Sequence, residues 1–215
     1  MPYATIEHMF HQGSLFGQLA IEFDATFANA IRHHLDQTTW VEHVPGWLNG
    51  ADRVFDDLVD RLPLRQRTGV HMFDRIVDEP RLSAWWSADS AEPEPLGILR
   101  DMRLLLAERY EEPFDSIGFN LYRHGNHSVA WHGDRHRNVV TNPVIAIVSV
   151  GAPRPLRLRP RVGTTPGERV RSRSWDLGHG DLFVMGGACQ HDWEHTVPKV
   201  RRTTGPRLSI TFRSV

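Results

Sequence analysis

Arg207-Leu208-Ser209-Ile210-Thr211-Phe212-Arg213 alternates polar and apolar residues without a break. Side chains along a strand point to opposite faces in turn, so this run reads as a strand with one greasy face and one face carrying Arg207, Ser209, Thr211 and Arg213. At about 3.3 Å per residue the two arginines lie roughly 20 Å apart, so both must lean inward if they are to meet one small dianion. Arginine suits that task because its planar fork grips a carboxylate through two hydrogen bonds. The competing reading is an ordinary edge strand. Working back from this run, residues 117–123, 128–132, 144–150, 156–161 and 182–185 are further short segments with strand character, separated by Gly, Pro and Asn. Strands at such spacing, with no helices between them, predict a sandwich or barrel, and a double-sheet jelly roll closes one around a small-molecule site.

Upstream of about residue 100 the pattern changes. Residues 25–35 and 51–62 carry apolar stripes at three-and-four spacing. Residues 92–110 form the strongest helical segment, with Leu96, Leu99, Met102, Leu105 and Leu106 on one face and Pro93 and Pro95 where a helix can begin. The expected class is α+β, a single domain over residues 1–215. Residues 1–100 are expected to be an N-terminal helical extension, and residues 101–215 a helix followed by the β-rich core.

A chain of 215 residues, 40% hydrophobic and 24% charged, fits one globular unit. Its longest apolar runs, 144–150 and 182–185, fall far short of the roughly 20 residues that span a bilayer. The first eight residues show no basic stretch followed by an apolar run, so the expectation is a cytoplasmic protein with no membrane partner. Cys189 is the only cysteine, which excludes an internal disulfide and an all-thiolate metal site. A metal would need His and carboxylate ligands, and there are 13 histidines. The net charge of −1 is unevenly laid out. Residues 1–100 hold 8 Lys+Arg against 15 Asp+Glu, and residues 101–215 hold 17 against 11. Residues 123–173 alone contain 10 arginines and two acids, Asp134 and Glu168. A clustered basic surface concentrates polyanions such as nucleic acid, and its bland alternative is a set of solvated arginines.

The chemistry gathers in Ala130-Trp131-His132-Gly133-Asp134. Two residues apart on a strand, His132 and Asp134 project from one face and can meet one ion. A third ligand is available in His195, within Trp193-Glu194-His195-Thr196. Two imidazoles and one carboxylate leave open coordination positions, an arrangement suited to non-haem Fe(II). An H-x-D pair taken alone is a weak signal and reads more readily as a surface turn with a His and an Asp in water. His191 stands four before His195 and His136 four after His132, the spacing of a helical zinc pair, but Gly133 and Asp134 interrupt a helix there. His124, His127, His136, His179 and His191 are therefore read as surface or supporting groups. No nucleophile elbow is present, and Cys189 reads as a small buried hydrophobe.

His132-Gly133-Asp134, then His195, then Arg207 and Arg213 six apart, preceded by Phe119-Asn120-Leu121-Tyr122 with its Asn-x-Tyr pattern, resembles the AlkB family of Fe(II)- and 2-oxoglutarate-dependent dioxygenases. The likeness runs from residue 117 to the end and, more faintly, over 67–86. It implies a double-stranded β-helix (jelly-roll) core with N-terminal helices and a nucleotide-recognition lid. It implies His132, Asp134 and His195 as iron ligands, with 2-oxoglutarate and O2 as cosubstrates. Arg207 would hold the distal carboxylate of 2-oxoglutarate, helped by Tyr122, while Asn120 and Arg213 would sit near the chelating carboxylate and Asp134. Ser209 departs from the pattern, since many members carry Asn between the two arginines. The implied activity is oxidative removal of methyl groups from base nitrogens of DNA or RNA, releasing formaldehyde, succinate and CO2, with single strands preferred and no obligate protein partner. The lid would be residues 67–86, with Phe73, Trp85 and Trp86 as base-stacking candidates. Arg123, Arg135 and Arg137 would contact phosphates, with the basic run 154–173 as a further candidate. Two other functions stand beside this one: a hydroxylase of a small molecule or protein side chain, and a non-catalytic β-barrel binding module.

Overall fold

The computed structural model describes residues 20–72, 75–134, 142–161 and 171–214. In chain order the elements are β1 (Glu22–Phe23), β2 (Ile31–His34), β3 (Thr39–Val44), β4 (Leu48–Asn49), α1 (Ala51–Arg61), β5 (Arg65–Gln66), β6 (Val70–Met72), β7 (Arg75–Val77), β8 (Leu82–Ser87), α2 (Gly97–Tyr110), β9 (Ser116–Tyr122), β10 (Val129–His132), β11 (Ile145–Gly151), β12 (Arg154–Pro160), β13 (Arg173–Leu177), β14 (Asp181–Gly187), α3 (Cys189–Asp192), β15 (Trp193–Val197) and β16 (Arg207–Arg213). Eight strands form one sheet in the order β2-β3-β14-β11-β16-β9-β8-β5, and four form a second in the order β10-β15-β12-β13. Neighbouring strands in both are antiparallel, as a jelly roll requires.

The large sheet is buried on both faces, which is why residues 145–151 read as an almost unbroken apolar run. Outward-facing Ile117, Phe119, Val148, Leu208, Ile210 and Phe212 pack with Leu58 of α1 and Leu99, Met102 and Leu106 of α2. Inward-facing Tyr122, Ile145, Ile147, Phe183 and Met185 meet Leu156, Leu158 and Trp193 of the small sheet. The helix expected over 51–62 forms as α1. The one expected over 92–110 starts at Gly97: both prolines precede it, and its N-cap Leu96 is still extended, with φ −137° and ψ 140°. No helix among the described residues is long and apolar enough to cross a membrane.

The helical extension expected over 1–100 is corrected. Among its described residues lie eight strands, and β2, β3, β8 and β5 belong to the large sheet. The stripe over 25–35 is a turn followed by a strand. The Asp24 carboxylate accepts from the Thr26 and Ala28 amides, both at 2.8 Å, and so offers the backbone an alternative to helix. Phe27 adopts a left-handed φ of 53°, and Ile31–His34 then pairs with β3.

Candidate metal and cosubstrate site

Strand alternation lays the site out in rows across the large sheet. On β16, Leu208, Ile210 and Phe212 face the helices, so Arg207, Ser209, Thr211 and Arg213 face the small sheet. Register then sets their neighbours. Arg207 is opposite Tyr122. Ser209 lies between Ser149 and Asn120, and Asn120 is opposite Ser83. Thr211 lies between Ile147 and Gly118, and Gly118 is opposite Trp85. Successive rows are about 6.6 Å apart. Together they floor a cavity of about 340 Å³, with His132, Asp134 and His195 on the opposing wall.

Those three residues bring their donor atoms within 4.8 Å of one another. His132 and His195 are cross-strand partners on β10 and β15, and their rings are 4.3 Å apart at the centroids. The Asp134 carboxylate reaches both, with Oδ1 3.9 Å from His132 Nε2 and Oδ2 3.8 Å from His195 Nε2. The tautomer of His132 follows from its partner. Nδ1 lies 2.8 Å from the Ala130 carbonyl, which can only accept, so Nδ1 carries the proton and Nε2 presents a lone pair. Burial pushes the His195 imidazole down to about 4, with repulsion from His132 acting in the same direction against the attraction of Asp134. His195 is thus neutral, as a ligand must be. Asp134 is held by Arg213, whose Nη1 donates to Oδ1 at 3.1 Å, and its amide donates to Gln190 Oε1 at 3.2 Å. Gly133, between His132 and Asp134, leaves no room for a side chain, since a Cβ there would lie 2.9 Å from the Gln190 carbonyl and press on the Arg161 guanidinium. Neutral nitrogens and one carboxylate suit a divalent first-row metal, so the donor set fits Fe(II).

At the other end of the floor Arg207 is 1% exposed, and burial pulls its guanidinium down to about 10, still charged at neutral pH. Its Nε donates to Ser149 Oγ at 2.9 Å, and Nη1 is buried with no hydrogen-bond partner. A buried donor left unmet costs free energy until an acceptor arrives, and the carboxylate of a keto diacid is such an acceptor. The two arginines of β16 therefore serve different partners, and neither reaches along the strand to share one with the other.

Asn120 lines the cavity, but its Oδ1 accepts from Arg81 Nε at 2.8 Å, which turns its amide nitrogen away from Arg81. Trp85 is 45% exposed at the cavity rim, and the Arg213 guanidinium lies 4.2 Å from its ring centroid. Gly118 lets that ring lie flat, since a Cβ there would come within 3.1 Å of it. Trp86 is corrected as a stacking candidate. Alternation turns it to the other face of β8, where it is 8% exposed, donates to the Glu92 carbonyl and packs in the helix-side core. The basic run 154–173 is corrected at its first residue: Arg154 is 1% exposed and donates to backbone carbonyls. In the same run Arg159 is paired with Glu194. Arg123 lies against the ring of His127. Phe73, Arg135 and Arg137, with His136, lie outside the described residues. Burial pushes the Cys189 thiol up to about 12, consistent with an inert buried group.

Sequence reasoning missed Ser149, Arg81 and Gln190. Ser149 had a signal, being the one polar residue inside the apolar run 144–150. Arg81 and Gln190 had none, because their partners Asn120 and Asp134 lie far away along the chain.

A model of the 2OG-Fe(II) oxygenase superfamily matches residues 63–213. The alpha-ketoglutarate-dependent dioxygenase alkB homolog 3 of Homo sapiens is 35% identical over 188 residues, 80% of this chain and 64% of that one. The DNA oxidative demethylase ALKBH2 of Homo sapiens is 28% identical over 181 residues, 77% of this chain and 69% of that one. The chain thus spans less than two thirds of the alkB homolog 3 protein that it matches. Among solved structures, OsALKBH1 superposes with a TM-score of 0.59 at 12% identity, over 86% of this chain and 100% of that one. A Trichoplax adhaerens prolyl hydroxylase in complex with a hypoxia-inducible-factor peptide does so at 0.55 and 10%, over 80% of this chain and 82% of that one. At such identities the superpositions speak for the fold.

Proposed function

The chain belongs to the 2OG-Fe(II) oxygenase superfamily, in its AlkB-like branch, and on that premise we propose that it is an Fe(II)- and 2-oxoglutarate-dependent oxidative demethylase of N-alkylated nucleic-acid bases. The observation that carries the proposal is a single cavity with two ends: a His/His/Asp donor set on one wall and a buried guanidinium with an unmet donor on the other. His132, Asp134 and His195 would hold the iron, and Arg207 the distal carboxylate of 2-oxoglutarate. Bound iron supplies the oxidising power, drawn from O2 and the conversion of 2-oxoglutarate to succinate and CO2, and a hydroxylated N-methyl group leaves as formaldehyde.

The protein's own contribution is geometry. Ser149 aims Arg207, the Ala130 carbonyl fixes the His132 tautomer, and Arg213 fixes the Asp134 carboxylate. Asn120, with its oxygen committed to Arg81, offers its amide nitrogen to the cavity as a donor for the chelating end of the keto acid. Trp85 offers a flat face at the rim to a base taken out of its stack, a contact worth about 1–3 kcal/mol. Unstacking costs least when the base is unpaired, which supports a preference for single strands.

The test is incubation with iron, ascorbate, 2-oxoglutarate and N-methylated oligonucleotides, single- and double-stranded, DNA and RNA. Formaldehyde and succinate should appear in equal amounts. Succinate formation driven by a small molecule or peptide, with every oligonucleotide inert, would replace this reading with a hydroxylase.

A further inference from the structure

Arg154 opens β12 with a side chain sealed from solvent, although it stands in an arginine-rich run that reads as a surface. Its Nη2 donates to the carbonyls of His127 and Pro198, both at 2.7 Å, and Nη1 to that of His124 at 3.3 Å. Its Nε is buried with no hydrogen-bond partner. Among the described residues it forms no ion pair, and the same holds for Arg207. The guanidinium carbons of both lie 5.5 Å from the centroid of one ring, that of Tyr122, so they are no more than 11 Å apart. Two buried cations beside one ring, with no acid paired to either among the described residues, are an expensive arrangement for the ligand-free protein. The expense has a physical rationale if an anion completes the wall, because the attraction between opposite charges is weakly screened in a buried site.

We propose that Arg154 is a positioning residue of the cosubstrate site, holding Tyr122 in place and adding a second buried positive charge near Arg207, so that the site selects a keto acid bearing a second, distal carboxylate. This rests on the proposed use of 2-oxoglutarate and adds to it a residue that does not line the cavity. A purely architectural Arg154, tying the backbone at 124–127 to that at 198, would affect every keto acid alike.

The experiment is calorimetric titration of the Mn(II)-loaded protein with 2-oxoglutarate and with 2-oxopentanoate, which has the same carbon chain and a methyl group in place of the distal carboxylate. In Arg154→Gln, affinity for 2-oxoglutarate should fall on the order of tenfold, the effect of one charge roughly 10 Å away at an effective dielectric of about 20. Affinity for 2-oxopentanoate should stay within about twofold. Equal losses for the two acids, or no loss for either, overturn the proposal. Should Arg154→Gln fail to fold, Arg207→Gln keeps the question open to refutation, since Arg154 remains intact in it. A preference of roughly tenfold for the diacid should survive there, and its disappearance overturns the proposal. A wild-type protein that binds neither acid removes the proposed function as well, whereas binding of the diacid with no dependence on Arg154 removes this inference alone.

Discussion

The two ends of β16 carry the same residue in opposite circumstances. Arg207 sits in the interior, held by one hydroxyl and with no ion pair among the described residues; each arginine keeps one buried nitrogen without a hydrogen-bond partner, Nη1 in Arg207 and Nε in Arg213, so the counter-charge is what separates them. Arg213 sits at the rim, bonded to the Asp134 carboxylate and stacked on Trp85. The first carries no counter-charge of its own, which is what the proposed function uses for an incoming carboxylate, and the second is paired with the Asp134 carboxylate. Identical side chains on one face of one strand thus do different work, because the small sheet brings Asp134 to one end only. On the proposed function the deep end binds and the rim aligns.

The sharpest way to break this contrast is Asp134→Ala, which takes a proposed metal donor and the partner of Arg213 away together. Metal affinity and succinate formation should fall more than 100-fold, with the fold retained by circular dichroism. Retained metal binding would remove Asp134 from the ligand set. Arg207→Met is next. Truncating one member of a buried charge pair costs about 2–5 kcal/mol, so 2-oxoglutarate affinity of the metal-loaded protein should fall by roughly 100-fold. In the metal-free protein the same change deletes a buried, unneutralised cation, and the thermal midpoint should hold or rise. A lowered midpoint would mean that the apolar wall needs Arg207 for its packing. Arg213→Lys keeps the charge but loses the planar fork. It should reduce metal affinity about tenfold, the usual scale for a group behind a ligand, and leave 2-oxoglutarate affinity nearly unchanged. If both constants fell together, the two ends would be one unit.

Adjacent tryptophans on β8 make the contrast again at smaller scale. Trp85→Ala should raise KM for a methylated oligonucleotide about tenfold, within the 1–3 kcal/mol of a base stack, with no loss of stability. Trp86→Ala should leave KM alone and destabilise the protein by about 3–5 kcal/mol, as removal of a core indole does. An inversion of these two outcomes would reverse the assignment of faces on β8.

The sequence made much of this legible, and for definable reasons. β16 was readable because its alternation is strict, and α1 because an apolar stripe at helical spacing suffices to bury one face. His132 and Asp134 share a motif, and His195 joined them through the order of the family's motifs. The opening third reads as helix from its stripe alone because β3 is held in the sheet by β14, well over a hundred residues away, and β2 joins only as the edge strand paired to β3. Trp86 was misassigned because a pair of tryptophans announces aromatic mass, whereas register decides which of the two faces the cavity. Arg154 reads as surface in the sequence because composition records an arginine-rich run and carries no information about which member turns inward. Ser149 is the instructive omission. A lone hydroxyl in a strand buried on both faces needs a partner, and that need alone pointed to something polar beside it.

Each end of the site also holds a buried neutral histidine, and acid tests both. His195 stands beside Asp134, and His127 stands beside Arg123 and Arg154. Burial pushes each imidazole down to about 4, helped for His127 by the neighbouring His124 and Arg123. A histidine whose value is lower folded than unfolded takes up a proton on unfolding. Its contribution to stability is therefore complete above its unfolded value of about 6.5 and is lost as pH falls from there toward 4. Urea unfolding of the metal-free protein should lose stability over that window with a slope approaching two protons, each worth about 1.4 kcal/mol per pH unit. His127→Phe should remove about half of the slope while sparing metal affinity. His195→Phe should remove the other half and abolish metal binding. If His127→Phe leaves the slope intact, the histidine at the deep end is solvated and the wall around Arg154 and Tyr122 admits water. The charge contributed there by Arg154 would then be screened, and the two ends of β16 would differ far less than their burial implies.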